Sequence, residues 1–161
     1  ENDMGVFDGM KDAKSSERGT FFPAGFKGTL ELVKMLEHRN HETNKHGFIA
    51  EFIVQSVSRP GVDDNVETPP VEVGDKRTWY QNMGTYAAKG ALKQFGCALA
   101  KMDDKKTSPA ILEQLEKKLD EALLTPEENM FVGSVLALET HPIRTKAGTP
   151  FTRHDFAPVS E

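Results

Sequence analysis

At 161 residues, with 37% hydrophobic and 28% charged residues, the chain has apolar material for one core, and no apolar run approaches the roughly 18 to 20 residues of a membrane span. Cys97 is the only cysteine, which excludes an internal disulfide or a cysteine-cluster zinc site and points to a reducing compartment. A net charge of −5 excludes a uniformly basic nucleic-acid binder, yet residues 76–106 hold seven Lys or Arg against Asp103 and Asp104, between two acidic stretches.

Residues 1–20 are polar, without the basic start and apolar middle of a signal peptide, and read as an arm before one domain of residues 21–161 in a cytoplasmic protein. In GFKGTLELVKMLEHR, Leu30 and Leu32 alternate with polar neighbours before Val33 and Met35 take over the apolar phase, which predicts a strand with a bulge. GFIAEFIVQSV predicts a second strand, with Phe48, Ala50, Phe52 and Val54 on one face. The polar stretch from His38 to Gly47 reads as the long loop of a hairpin, and SRPGVDDNVETPP as an acidic loop. Lys76 to Gln81 predicts a third strand.

The period then changes. Ala88, Ala91, Leu92, Phe95, Leu99 and Met102 recur at three- and four-residue steps, which predicts an amphipathic helix, with Gly90 and Gly96 placed for close packing on the sheet. Ser108 is a natural N-cap before Pro109, and Leu112, Leu115, Leu119 and Leu123 stripe a second helix ending at Thr125 and Pro126. MFVGSVLALETHPI and TPFTRHDFAPV predict two last strands around the turn KAG.

Three strands, two helices and two strands make a mainly β chain and match an OB-fold, the five-stranded, partly open Greek-key barrel whose ligands lie on strands two and three and under the 1–2 and 4–5 loops. Four segments, GTFFPAGFKGTLELVKM, HGFIAEFIVQSVS, VGDKRTWYQNM and TKAGTPFTRHDFAPV, resemble OB-fold single-stranded-DNA-binding proteins of tailed bacteriophages. The resemblance implies binding of single strands without sequence choice, in host-cell replication or recombination. Candidate partners are single-stranded DNA, replication or recombination proteins and further copies of the chain. Bacterial single-strand binders carry an acidic carboxyl tail that this sequence does not show, so recruitment through such a tail is not expected.

Such binding needs cations for phosphates and exposed aromatic faces for bases. Lys76-Arg77-Thr78-Trp79-Tyr80 supplies both, but alternation lets only one set face outward, Lys76 with Tyr80 or Arg77 with Trp79. Arg39 and Lys45 in the 1–2 loop, and Arg144, Lys146, Phe151 and Arg153 along the 4–5 loop and final strand, complete the candidate nucleic-acid-binding set, with His154 beside them among the cations. His38, His41 and His46 invite a metal reading, but a polar hairpin tip gives no fixed geometry, so neither metal nor cofactor is expected. GTYAAKG does not fit the phosphate-loop pattern, and HExxH and GxSxG are absent, so no enzymatic activity is expected. The competing readings are an OB-like structural or protein-interaction module, such as a virion or replisome adaptor, and single-stranded RNA binding.

Overall fold

The computed structural model describes residues 21–40, 42, 45–62, 70–144, 148 and 150–159. The expected arm over residues 1–20 lies outside the described residues, as does Lys146. Strands β1 (Ala24–Asn40), β2 (Lys45–Val62), β3 (Lys76–Asn82), β4 (Val135–Arg144) and β5 (Pro150–Pro158) form one antiparallel sheet in the order β3-β2-β1-β4-β5. Helices α1 (Ala88–Leu99) and α2 (Pro109–Leu124) lie between β3 and β4, followed by a 3-10 turn at Pro126–Glu128. The order of elements is the one the periodicity predicts.

The apolar alternation of β2 sets the core, since Phe48, Ala50, Phe52 and Val54 are all buried. On β1 the phase change is a bulge: Leu32 pairs with Phe52 and Lys34 with Glu51, so Val33 is the extra residue and Met35 returns to the core. The strands also run further than the sequence suggests. His38 to Asn40 and Lys45 to Gly47 remain paired, because a hairpin projecting into water can carry polar side chains on both faces; His46 and Arg39 both reach Glu37 there. At the other end β2 continues through Pro60, opposite Phe26. The Phe26 amide turns away from β2 and donates to Thr140 Oγ1 at 2.9 Å, so this pair requires no amide between the strands and proline costs no ladder bond.

The closed part of the expected barrel is corrected, because the sheet is open: no ladder joins β3 to β5 among the described residues. Two other elements occupy the seam. Phe21 forms a parallel bridge to Thr78 on β3, while Phe22 is buried against Phe26, Phe52 and His154. Further along, α1 lies on β5, where Gln94 Oε1 accepts from the Phe156 amide at 3.0 Å and so caps a donor on the strand's open edge. From the same helix Phe95 enters the core, with ring centroids 5.1 Å from Phe156, 5.2 Å from Trp79, 5.5 Å from Phe48 and 6.0 Å from Phe52.

Helix α2 begins as predicted, with Ser108 Oγ accepting from the Ile111 amide and Pro109 in the first turn. Gly96 serves a different contact from the one expected. A Cβ there would lie 2.7 Å from Leu119 Cδ1, so Gly96 lets α2 approach α1, whereas Gly90 has open space around it. No helix of the described residues is long and apolar enough to cross a membrane. Replacing Phe95 by Ala empties the centre of the ring cluster and is expected to cost about 3–5 kcal/mol in urea unfolding. Leu124→Ala, at a side chain 81% exposed, should stay within about 0.5 kcal/mol.

Candidate nucleic-acid interface

Seven residues decide which face of β3 meets solvent. In Lys76–Asn82 the inward positions are Arg77 and Trp79, each 3% exposed, and the outward ones include Lys76 and Tyr80, the latter 40% exposed. Trp79 packs at 4.8 Å on Phe156 and 5.8 Å on Phe48, so no base can reach its faces. The Arg77 guanidinium donates to Phe21 O at 3.1 Å, to Asp75 Oδ2 at 3.0 Å and to Pro70 O at 3.4 Å. Its charge is committed inside the fold. Trp79 and Arg77 therefore leave the candidate set: the alternation that made either pair eligible has turned this one toward the core.

Tyr80 owes its pose to a neighbour with no side chain. A Cβ on Gly47 would lie 2.3 Å from Tyr80 Cε2 and 2.4 Å from its hydroxyl oxygen, so the ring lies over the β2 backbone there. Around it, the register brings Leu36, Ile49 and Tyr80 into one outward row, Lys34, Glu51 and Thr78 into the next, and Glu31, Ile53 and Lys76 into a third. Both helices lie elsewhere: α1 covers β5's open edge and the core mouth. The face is mixed in charge, for Lys34 stands opposite Glu51 and Gln55 donates to Glu31 at 2.9 Å.

The remaining candidates divide between two ends of the sheet. Arg39 is exposed at the β1–β2 tip, and Lys45 begins β2 beside it, its side chain outside the described residues. From Val135 opposite Glu31 to Glu139 opposite Lys27, β4 runs away from that tip, so the β4–β5 turn lies at the far end. Phe151, 55% exposed, pairs there with Ile143. Arg153 is also exposed but ion-paired with Asp155 at 3.0 Å, and Asp155 is 3.2 Å from His141. Arg144 ends β4, its side chain likewise outside the described residues.

Two features escaped the sequence reading, exposed Phe21 in the seam and fully exposed Tyr86 before α1, while His154, expected among the cations of the final strand, turns inward instead. His154 packs on Trp79, Phe22 and Phe156, and its Nε2 has no hydrogen-bond partner among the described residues. Burial pushes its pKa down to about 4, against the raising effects of a hydrogen bond to the Thr152 backbone and of the Asp155 charge. Cys97 is buried, which pushes its thiol up and makes it a poor nucleophile. Among the described residues no group of three or more His, Cys, Asp or Glu side chains is placed to hold a metal ion.

No family model matches the chain, and no curated protein matches its sequence. The site stands on its geometry.

His154 yields a pH dependence. With a folded pKa of about 4 against an ordinary 6.5, the unfolded chain takes the proton first as pH falls. This contribution to stability is whole above pH 6.5, declines between 6.5 and 4, and is lost below. Urea unfolding should show a drop of roughly 2 kcal/mol from pH 7 to pH 5, from 1.36 kcal/mol per pKa unit, and His154→Gln should remove that slope. An unchanged slope in the variant would assign the pH dependence to other groups.

Proposed function

We propose that the chain binds single-stranded DNA, without sequence choice and without covalent chemistry, on the outward face of β3 and β5. The curled sheet would then be an OB-fold-like barrel left open at the β3–β5 seam. One observation carries the reading: Tyr80 and Phe151 present aromatic surface on a sheet face that neither helix covers, with Lys76 and Arg153 on the same strands. Aromatic faces accept any base, and cations track any backbone, so the pairing favours an unpaired strand over a particular sequence.

The mixed charge sets the balance between the two sources of affinity. Asp155 already holds Arg153, and Glu51 faces Lys34, so a phosphate must compete for each. Lys76 has no acidic partner among the described residues. Stacking therefore supplies most of the affinity and counterion release a smaller share, in a role of keeping strands unpaired during replication or recombination. A second reading, a protein-interaction module, is favoured by the apolar groove of about 520 Å³ between α1 and α2, lined by Met35, Leu92, Leu112, Leu119 and Leu123.

Titration of a labelled mixed-sequence oligonucleotide at several salt concentrations tests the proposal. Single strands should bind more tightly than duplex of equal length, and Tyr80→Ala should cost about 1–3 kcal/mol. Gly47→Ala, which pushes the Tyr80 ring off β2, should weaken binding in the same direction. The logarithmic salt slope should be shallow, roughly −1.4 to −2.8 for two to four phosphate contacts. Equal affinity for duplex and single strand, or no binding at low salt, rejects the proposal in favour of the protein-interaction module. Preference for an RNA strand of the same sequence would reassign the ligand.

A further inference from the structure

Taken alone, the candidate side chains form two clusters, Tyr80 toward the hairpin end and Phe151 with Arg153 toward the β4–β5 turn, separated by the seam where β3 and β5 do not pair. The two strands run in the same direction, and Trp79 meets His154 and Phe156 across the seam. Counting back three residues on each, at about 3.3 Å per residue, brings Lys76 and the Phe151–Arg153 stretch to the same height. The segment leading into β1 runs between them. Phe21 bridges Thr78, and paired residues point to the same side, so its ring stands outward beside Lys76 and Tyr80 while Phe22 turns into the core. Phe21 is 50% exposed.

We propose that Phe21 is a stacking platform that joins the two clusters into one track crossing the seam, and that buried Arg77 is the residue that positions it. The inference rests on the single-strand reading above and deepens it. Arg77 is suited to the task because it holds the Phe21 carbonyl, the Pro70 carbonyl and the Asp75 carboxylate at once, with its side chain 4% exposed. A planar, permanently charged fork can span these acceptors, and a lysine ammonium cannot hold the same geometry. The seam segment is further fixed by Thr140, whose hydroxyl donates to Pro23 O at 2.6 Å and accepts from the Phe26 amide. With the backbone of the segment held by Arg77 and Thr140, little loop ordering is required when a base stacks on the Phe21 ring.

The test uses the full chain and a mixed-sequence DNA oligonucleotide carrying iodouracil in place of thymine, read by affinity, by photocrosslinked residue and by thermal melting. Phe21→Ala and Phe21→Leu should each weaken single-strand binding roughly 5- to 150-fold, Phe21→Tyr should retain it, and all three should melt near the wild-type temperature. Crosslinks should map to Phe21 and Tyr80. Arg77→Lys should lose the crosslink at Phe21 and keep that at Tyr80, with an unchanged salt slope, because Arg77 touches no phosphate. Should Arg77→Lys fail to fold, the three Phe21 variants still decide the platform role. Wild-type affinity in Phe21→Ala, with binding impaired in Tyr80→Ala, overturns the inference while leaving the interface standing. A flattened salt slope in Arg77→Lys overturns the positioning role, and absence of binding by the wild type overturns interface and inference together.

Discussion

Trp79 on one edge of the sheet and Phe156 on the other lie 4.8 Å apart, although no described backbone hydrogen bond joins their strands. The architecture depends on this contact between edges. For the first and last members of the order β3-β2-β1-β4-β5 to share a core, the sheet must curl strongly, and the bulge at Val33 with the further register shifts along β1 supplies local twist. Phe95 then acts as a wedge, touching Trp79, Phe156, Phe48 and Phe52 from a helix rather than a strand. Ring packing here does what a ladder does in a closed barrel. It demands shape complementarity instead of backbone register, so a helix and an irregular segment can complete it.

That substitution explains which parts of the fold were legible in the sequence. The face of β2 was readable because Phe48, Ala50, Phe52 and Val54 alternate without interruption, and the β1 bulge because the alternation slips at Val33. Helix α2 was readable to its cap because Ser108 and Pro109 act locally. The face of β3 was not, since Arg77 with Trp79 and Lys76 with Tyr80 each offer one cation and one aromatic. What decides between them is Phe95 and Phe156 on later elements and the acceptors at Phe21, Pro70 and Asp75. Strand ends were misjudged for a related reason: polar composition marks exposure, and a hairpin paired out to Asn40 and Lys45 is exposed and regular at once.

The candidate site was readable in its chemistry and less so in its arrangement. Tyr80, Phe151, Lys76, Arg39 and Arg153 do face outward, but the sequence placed them on the 1–2 loop, the third strand and the final strand without showing how far apart these lie. Phe21 escaped because it sits in a pair, Phe21-Phe22, whose members alternate between water and core. Its strand partner, Thr78, is remote in the chain, and no local pattern encodes a single parallel bridge. His154 was placed on the wrong face: beside Arg153 in TRHDF it resembles a surface cation, but it shares its side of the strand with buried Phe156 two positions on.

An open seam exposes two strand edges, which invite pairing with another chain unless something covers them. Gln94 answers one donor on β5, and the Phe21 bridge answers part of β3. The same Phe21 segment turns one ring inward and one outward, so closing the seam and presenting an aromatic to solvent are one structural event. Under the proposed function the two are thermodynamically linked. A strand that stacks on Phe21 binds only the state in which the seam is filled, and by mass action it stabilises that state by an amount that grows with ligand concentration over Kd. A residue whose backbone closes the core and whose side chain meets the ligand thus couples folding to binding without a separate conformational device.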